Sequence, residues 1–225
     1  MVINTIVADA LDQISTELEK FPKKNFNEKL QLLLQKIIKA HKRIIFNGDG
    51  YTAAWKKEAA KRGLPNAPTT PEALGAFVSE KSKALFTKYN VFTEAEMESR
   101  YEIFMEEYAK KIKIEGELSL SMARTIIQPA AGKQLAELAE ALVNMKAAGL
   151  TAGVAAKKEA ATIIGRYLDS VTAKCNDLEA ALKTGNQAPV LKAMAALRAD
   201  VDALELLIDD EIWPLPKYRE MLFIS

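Results

Sequence analysis

Apolar residues recur along this chain at intervals of three and four, and almost nowhere in alternation. That period belongs to helices with one buried face, and the absence of alternating runs predicts no strands. The clearest seams lie towards the C-terminus. Ile164, Leu168, Val171, Cys175, Leu178 and Leu182 step by four, three, four, three and four residues, and Val190, Met194, Leu197, Val201, Leu204 and Ile208 repeat the series. Each stripe stays on one side of its helix and requires a partner helix. The short Lys183-Thr184-Gly185-Asn186 link predicts an antiparallel hairpin. Adding the segment from Leu135 to Met145 gives a three- or four-helix bundle.

The earlier helices are bounded by their punctuation. One helix is expected from about Asn4 to Phe21, stopped by Pro22. Asn25 or Asn27 caps a second, whose apolar stripe runs Leu30, Leu34, Ile37, His41 and Ile44. Asn47-Gly48-Asp49-Gly50 then breaks it, with Gly supplying a left-handed C-cap. A short helix follows from Tyr51 to Arg62, ended by Gly63. After the loop LPNAPTTP, Thr70 and Pro71 open a helix running to about Tyr89. Thr93 and Glu96 have the spacing of a capping box, opening a long helix that reaches towards Gln128. Pro129 kinks or breaks it. Gly116, inside it, costs about 1 kcal/mol relative to Ala and predicts a bend or loosening there. The tail, with Pro214 and Pro216, reads as extended and packed by its aromatics, or as free.

The fold class is therefore all-α: a helical bundle with a long kinked central helix and a C-terminal antiparallel helical hairpin. The organisation read from the pattern is 1–21 as a separate helix, 22–92 as a short-helix region and 93–225 as the long-helix bundle with its tail. Residues 22–225 are expected to form one compact domain.

Composition narrows the function classes. With 225 residues, 49% of them hydrophobic, a real core can form. Lys and Arg number 31 against 30 Asp and Glu, so no electrostatic footprint for nucleic acid is present. No segment reaches the roughly 18 uninterrupted apolar residues of a membrane span. The first residues, MVINTIVADALDQIS, lack a basic region and include Asp9 and Asp12, so they do not read as a signal peptide. One cysteine excludes an internal disulfide and suits a reducing cytoplasm.

Candidate chemistry is sparse. His41 is the one histidine and falls on an apolar stripe, so a structural or interface role is expected rather than a general base or metal ligand. The Asn47–Gly50 turn follows a helix rather than a strand and lacks the Lys of a phosphate loop. It also lacks the alternating oxygen ligands of a calcium loop. Glu98, Glu102 and Glu106 share a helical face, but no Glu-x-x-His pair exists to build a di-metal site. Cys175 lies on a packing seam, away from any activating base. The expectation is a chain with no catalytic, cofactor-binding or metal site of its own.

Several runs resemble the C-terminal region of type III glutamine synthetases. They are Asn4-Thr5-Ile6-Val7-Ala8 with Ala10-Leu11-Asp12, then His41 to Gly48, Lys61 to Asn66, Ser99 to Ile103, and Pro129-Ala130-Ala131. The last comprises Asp209-Asp210-Glu211 and Trp213 to Phe223. Their order and spread over the whole chain carry the match. The resemblance implies an oligomeric parent enzyme that ligates ammonia to glutamate using ATP and Mg2+ or Mn2+. Those cofactors would bind in a β-rich catalytic part that has no counterpart here. Residues 4–21 resemble the final helix of that part, and the rest resembles its helical extension. The implied role is a non-catalytic accessory or assembly domain, with the synthetase catalytic domain and neighbouring subunits as partners. The alternative is a free-standing helical interaction or regulatory protein. Candidate interface residues are His41, Arg43, Phe46, Arg100, Tyr101, Glu102, Trp213, Tyr218 and Phe223.

Overall fold

A computed structural model describes residues 1–222 and is all-helical over them. It contains two compact units, Met1–Glu106 and Glu107–Ser225. Their division falls inside a helix, rather than at the 21/22 and 92/93 boundaries read from the sequence.

In the first unit, α1 (Val2–Glu19) ends before Pro22, and α2 (Phe26–His41) starts after a 3-10 turn at Lys23–Asn25. Asn25 is the N-cap residue of α2, although its side chain makes no cap hydrogen bond. The half-buried residues of α2 are Leu30, Leu33 and Ile37. Leu34, His41 and Ile44, assigned above to the same stripe, are exposed. α2 carries two apolar rows, and only the one through Leu30, Leu33 and Ile37 is covered.

The end of α2 also differs from expectation. The helix stops at His41 in a 3-10 turn, Lys42–Ile44, and the left-handed glycines are Gly63, Gly149, Gly153 and Gly185, not Gly48 or Gly50. α3 (Ala53–Lys61) is capped by the Thr52 hydroxyl, which accepts from the Trp55 amide, and Gly63 closes it as anticipated. The helix expected over 70–89 is two: α4 (Thr70–Phe77) and α5 (Glu80–Lys88). Ser79 separates them, its hydroxyl donating to the Ala76 carbonyl and accepting from the Ser82 amide. The core of this unit is small, formed by Phe86, Phe92 and Met97 with Phe77 and Val91 against them.

α6 (Glu94–Met122) opens on the anticipated capping box. The Thr93 amide donates to Glu96 Oε2 at 2.8 Å, and the Glu96 amide donates to the Thr93 hydroxyl at 3.2 Å. The helix runs unbroken through Gly116. A Cβ built on Gly116 would stand 2.9 Å from Leu182 Cδ2 and 3.0 Å from Val190 Cγ1. Glycine there permits close packing of neighbouring helices; it does not loosen the turn.

Pro129 neither ends the helix nor leaves it regular. A π segment, Ala123–Ile127, leads into α7 (Gln128–Ala147), and the Gln128 amide donates to the Ala123 carbonyl five residues back. The wider turn accommodates a residue that has no amide hydrogen to donate. α8 (Val154–Lys183) and α9 (Gln187–Glu205) form the expected hairpin, turned at Gly185. Ile164, Val171, Cys175 and Leu178 interlock with Val190, Leu197 and Leu204, while Ala123, Ile127 and Ala131 join the same core. Across the hairpin, Lys174 pairs with Asp200 at 2.6 Å and the Ser170 hydroxyl donates to the same carboxylate. Burial raises the Asp200 pKa, but these two bonds outweigh it and the carboxyl stays below its ordinary range. Beyond α9, Ile208, Ile212, Trp213 and Leu215 fold back on this core, so the tail is packed rather than free. A short helix, α10 (Tyr218–Leu222), follows.

Candidate functional site

Three arrangements in the first unit organise its polar groups. The first is the connection between α2 and α3. Arg62, at the C-terminal end of α3, donates to the carbonyls of Arg43 at 3.2 Å and Ile45 at 2.8 Å. It also pairs with Glu58 at 2.7 Å and lies over the Trp55 ring at 5.5 Å. Phe46 stacks on the same indole, with centroids 4.2 Å apart. The Asp49 carboxylate accepts from the Tyr51 amide, which tightens the turn. Two of the sequence runs singled out above, 41–48 and 61–66, are thus joined by one guanidinium. Sequence reading chose Arg43 and Phe46 but missed Arg62 and Trp55. The signal available was their i, i+7 placement on one face of α3.

The second arrangement fastens α1 to α5. Lys88 Nζ lies 2.9 Å from Asp9 and 3.2 Å from Asp12, and the Tyr89 hydroxyl, which accepts from Lys88, lies 2.9 Å from both carboxylates and shares its one proton between them. Bonds to Lys88 and Tyr89 hold the Asp9 carboxyl below its ordinary range, and bonds to Tyr89 and Lys88 do the same for Asp12. Hydrogen bonding to Tyr89, Asp9 and Asp12 pushes the Lys88 ammonium well up. At 100° per residue, Thr5, Asp9, Asp12 and Thr16 occupy one side of α1. Ile3, Ile6, Val7, Leu11, Ile14 and Leu18 spread over the other. Thr5 and Asp9 on the polar side face the unit and Ile14 and Leu18 are half-buried, while Ile3, Ile6, Val7 and Leu11 are exposed, Ile3 by 74% and Leu11 by 62%. An amphipathic helix normally buries the opposite face.

The third arrangement is the start of α6. Arg100 lies over the Phe92 ring at 4.8 Å, Tyr101 is half-buried and Glu102 is exposed. Glu98 pairs with Lys83 at 2.7 Å.

Among the described residues, no group of three His, Cys, Asp or Glu gathers as metal ligands. The carboxylate pair Asp9 and Asp12 already holds an ammonium and a phenol. Cys175 is 1% exposed and burial pushes its thiol pKa up, the reverse of an activated nucleophile. No helix among the described residues is long and apolar enough to cross a membrane.

The candidate interface residues separate accordingly. His41, Arg43, Arg100 and Glu102 are exposed, and Phe46 is 37% exposed. Trp213 is corrected: at 7% exposure it belongs to the second unit's core, because Ile212 and Leu215 pack inward beside it. Phe223 lies outside the described residues, as does the side chain of Tyr218.

Comparison with known proteins gives this arrangement a setting. The sequence pattern of the glutamine synthetase C-terminal domain matches residues 29–146, just over half of the chain. A type-3 glutamine synthetase of Dictyostelium discoideum is 34% identical over all of this chain, and a glutamine synthetase of Butyrivibrio fibrisolvens is 33% identical over 93% of it. A glutamine synthetase of Bacteroides fragilis is 32% identical over 99%. The chain spans about a third of the length of each of these relatives. The pattern covers more than half of the chain and bears out the resemblance carried by the runs along the sequence: the chain belongs to the glutamine synthetase C-terminal domain family.

Proposed function

We propose that this chain is a non-catalytic accessory and assembly domain of a type III glutamine synthetase, whose parent reaction is the ATP-dependent ligation of ammonia to glutamate. One observation carries the reading. α1 holds its polar side to α5 through Lys88 and Tyr89 and leaves Ile3, Ile6, Val7 and Leu11 exposed. A contiguous exposed apolar surface of that kind marks a contact with another body. Two thirds of the relatives' length has no counterpart here, and that part is the proposed cover. The accessory domain then contributes position and packing, while substrate, nucleotide and metal are handled elsewhere in the parent.

The test has two arms. The purified chain, given glutamate, ammonia, ATP and magnesium, forms no glutamine; turnover by a homogeneous preparation would end the non-catalytic reading. A separately produced remainder of the Dictyostelium relative binds the chain. Val7→Asp with Leu11→Asp abolishes that binding while the far-UV circular dichroism stays helical. Unchanged binding by the double variant would remove α1 from the contact.

A further inference from the structure

The second unit holds a half-open cavity of about 310 Å³, lined by the end of α6, the π segment, α9 and the returning tail. That volume lies at the lower end of the range for small-molecule sites, which are mostly apolar with a few placed polar groups. The π segment contributes Ala123 and Ile127 to the wall. Single π turns inside a helix recur at functional sites, where the wider turn re-aims side chains. Met122 and Met194 add unbranched, polarizable surface that adapts to an occupant. Trp213 adds an aromatic one, and its indole Nε1 is buried without a partner. No hydrogen bond therefore fixes that ring in its present orientation.

The charged groups of the wall leave one sign over. Arg198 and Asp202 satisfy each other, Nε to Oδ2 at 3.3 Å. Glu205 is half-buried and has no hydrogen-bond or ion-pair partner among the described residues. It is also the last residue of α9, and the last turn of that helix carries no basic residue. A helix C-terminus bears partial negative charge on its trailing carbonyls and favours a cation beside it. The Glu205 carboxylate and the end of α9 thus act in the same sense, with no cation of this chain set against them.

We propose that this cavity binds a small organic cation, a compound with an apolar body and one ammonium group. The apolar body lies against Met122, Met194 and the Trp213 ring, and the ammonium meets Glu205 at the end of α9. An aromatic face beside a carboxylate suits a cation twice over. The same unopposed carboxylate disfavours anions, glutamate and ATP included. The site therefore binds without transforming its ligand, and it stands apart from the assembly reading above.

Titration of the 225-residue chain with phenethylamine, followed by heteronuclear NMR, tests this. The Trp213 indole N–H is the reporter, told from that of Trp55 by the spectrum of Trp55→Phe. The amine shifts it saturably, with a dissociation constant below about 1 mM. Phenethyl alcohol, which keeps the shape and loses the charge, binds about tenfold more weakly, and phenylacetate leaves the signal unmoved at about 10 mM. Glu205→Gln, helical by circular dichroism, brings the amine to the affinity of the alcohol, whereas Glu159→Gln on the exposed side of α8 changes nothing. Three results would overturn the site: a Trp213 signal that the amine does not move, equal affinity for amine and alcohol, or full affinity for the amine in Glu205→Gln. If Glu205→Gln does not fold, the three compounds on the wild-type chain decide the matter by themselves.

Discussion

The Arg62 guanidinium donates to the Ile45 carbonyl at 2.8 Å across seventeen residues of chain, and in doing so satisfies backbone just beyond the 3-10 turn that follows α2. Carbonyls in such a non-helical segment need donors from elsewhere in the unit. Arg62 serves because its planar guanidinium gives Nη1 to both carbonyls and Nε to Glu58 while lying on Trp55. Arg62→Ala is expected to destabilise the first unit by about 1–2 kcal/mol, the scale of hydrogen bonds from a charged donor. Arg62→Lys should recover less than half, because an ammonium cannot fork. Urea titration followed by Trp55 fluorescence in a Trp213→Phe background checks both. Full recovery by Lys would reduce the role of Arg62 to simple charge.

Gly116 acts in the opposite sense from the one its sequence context suggests. Replacing it by Ala gains about 1 kcal/mol of helix propensity. The new Cβ, however, meets Leu182 Cδ2 at 2.9 Å and Val190 Cγ1 at 3.0 Å, and overpacking of a core costs about 1–3 kcal/mol. Gly116→Ala is therefore expected to lower stability by about 1 kcal/mol net. In a double-mutant cycle, Leu182→Ala should cost less in a Gly116→Ala background than in the wild type, because it vacates the crowded space. Additive costs would show that the two positions do not compete for volume.

The division between α4 and α5 is held by two hydroxyls, since Ser82 Oγ also donates to the Ala76 carbonyl at 2.7 Å, but only Ser79 caps the following helix. Ser79 bonds the Ala76 carbonyl behind it and the Ser82 amide ahead of it. Ser79→Ala should cost about 1 kcal/mol, the usual worth of an N-cap, and Ser79→Asp should retain most of it. Thermal melts of the two variants decide the matter, and equal melting temperatures would mean that the break is set by the Phe77 and Phe86 packing instead.

What could be read from sequence follows from which signals were local. The α8–α9 hairpin was legible because its two stripes pack against each other, and a four-three repeat records that directly. The Thr93–Glu96 box was legible because both partners lie three residues apart. The Ser79 break was not, since an apolar period continues across it and only a serine marks the change. The π segment before Pro129 was visible as a disturbance but not as a type, because proline prescribes a missing donor and leaves open how the helix adjusts. The end of α2 was misplaced because its carbonyl partner, Arg62, is remote in sequence. For the same reason the α1–α5 fastening went unseen: Asp9 and Lys88 are 79 residues apart. The amphipathicity of α1 was readable, but not which side the unit would keep.

That fastening should respond to pH at both ends. Asp9 and Asp12 have folded pKa values below the ordinary 3.8. A depressed carboxyl contributes stability that is present above the unfolded pKa and is lost as pH falls through the folded one. Lys88 is shifted up from 10.5, so its contribution is complete below 10.5 and is lost as pH rises through the folded value. The α1–α5 contact is thus expected to hold from about pH 4 to about pH 10 and to weaken outside that window. Amide exchange on α1, read by NMR against α8 as an internal standard, should accelerate below the acid limit before α8 does. Lys88→Met should raise α1 exchange at neutral pH and reduce its acid dependence, with the Tyr89 bonds keeping part of it. Tyr89→Phe should likewise weaken the contact and keep part of the acid step. Acid-dependent exchange left unchanged in the Lys88→Met/Tyr89→Phe double variant would place the titrating groups elsewhere, and α1 would then be held to its unit by something other than these four side chains.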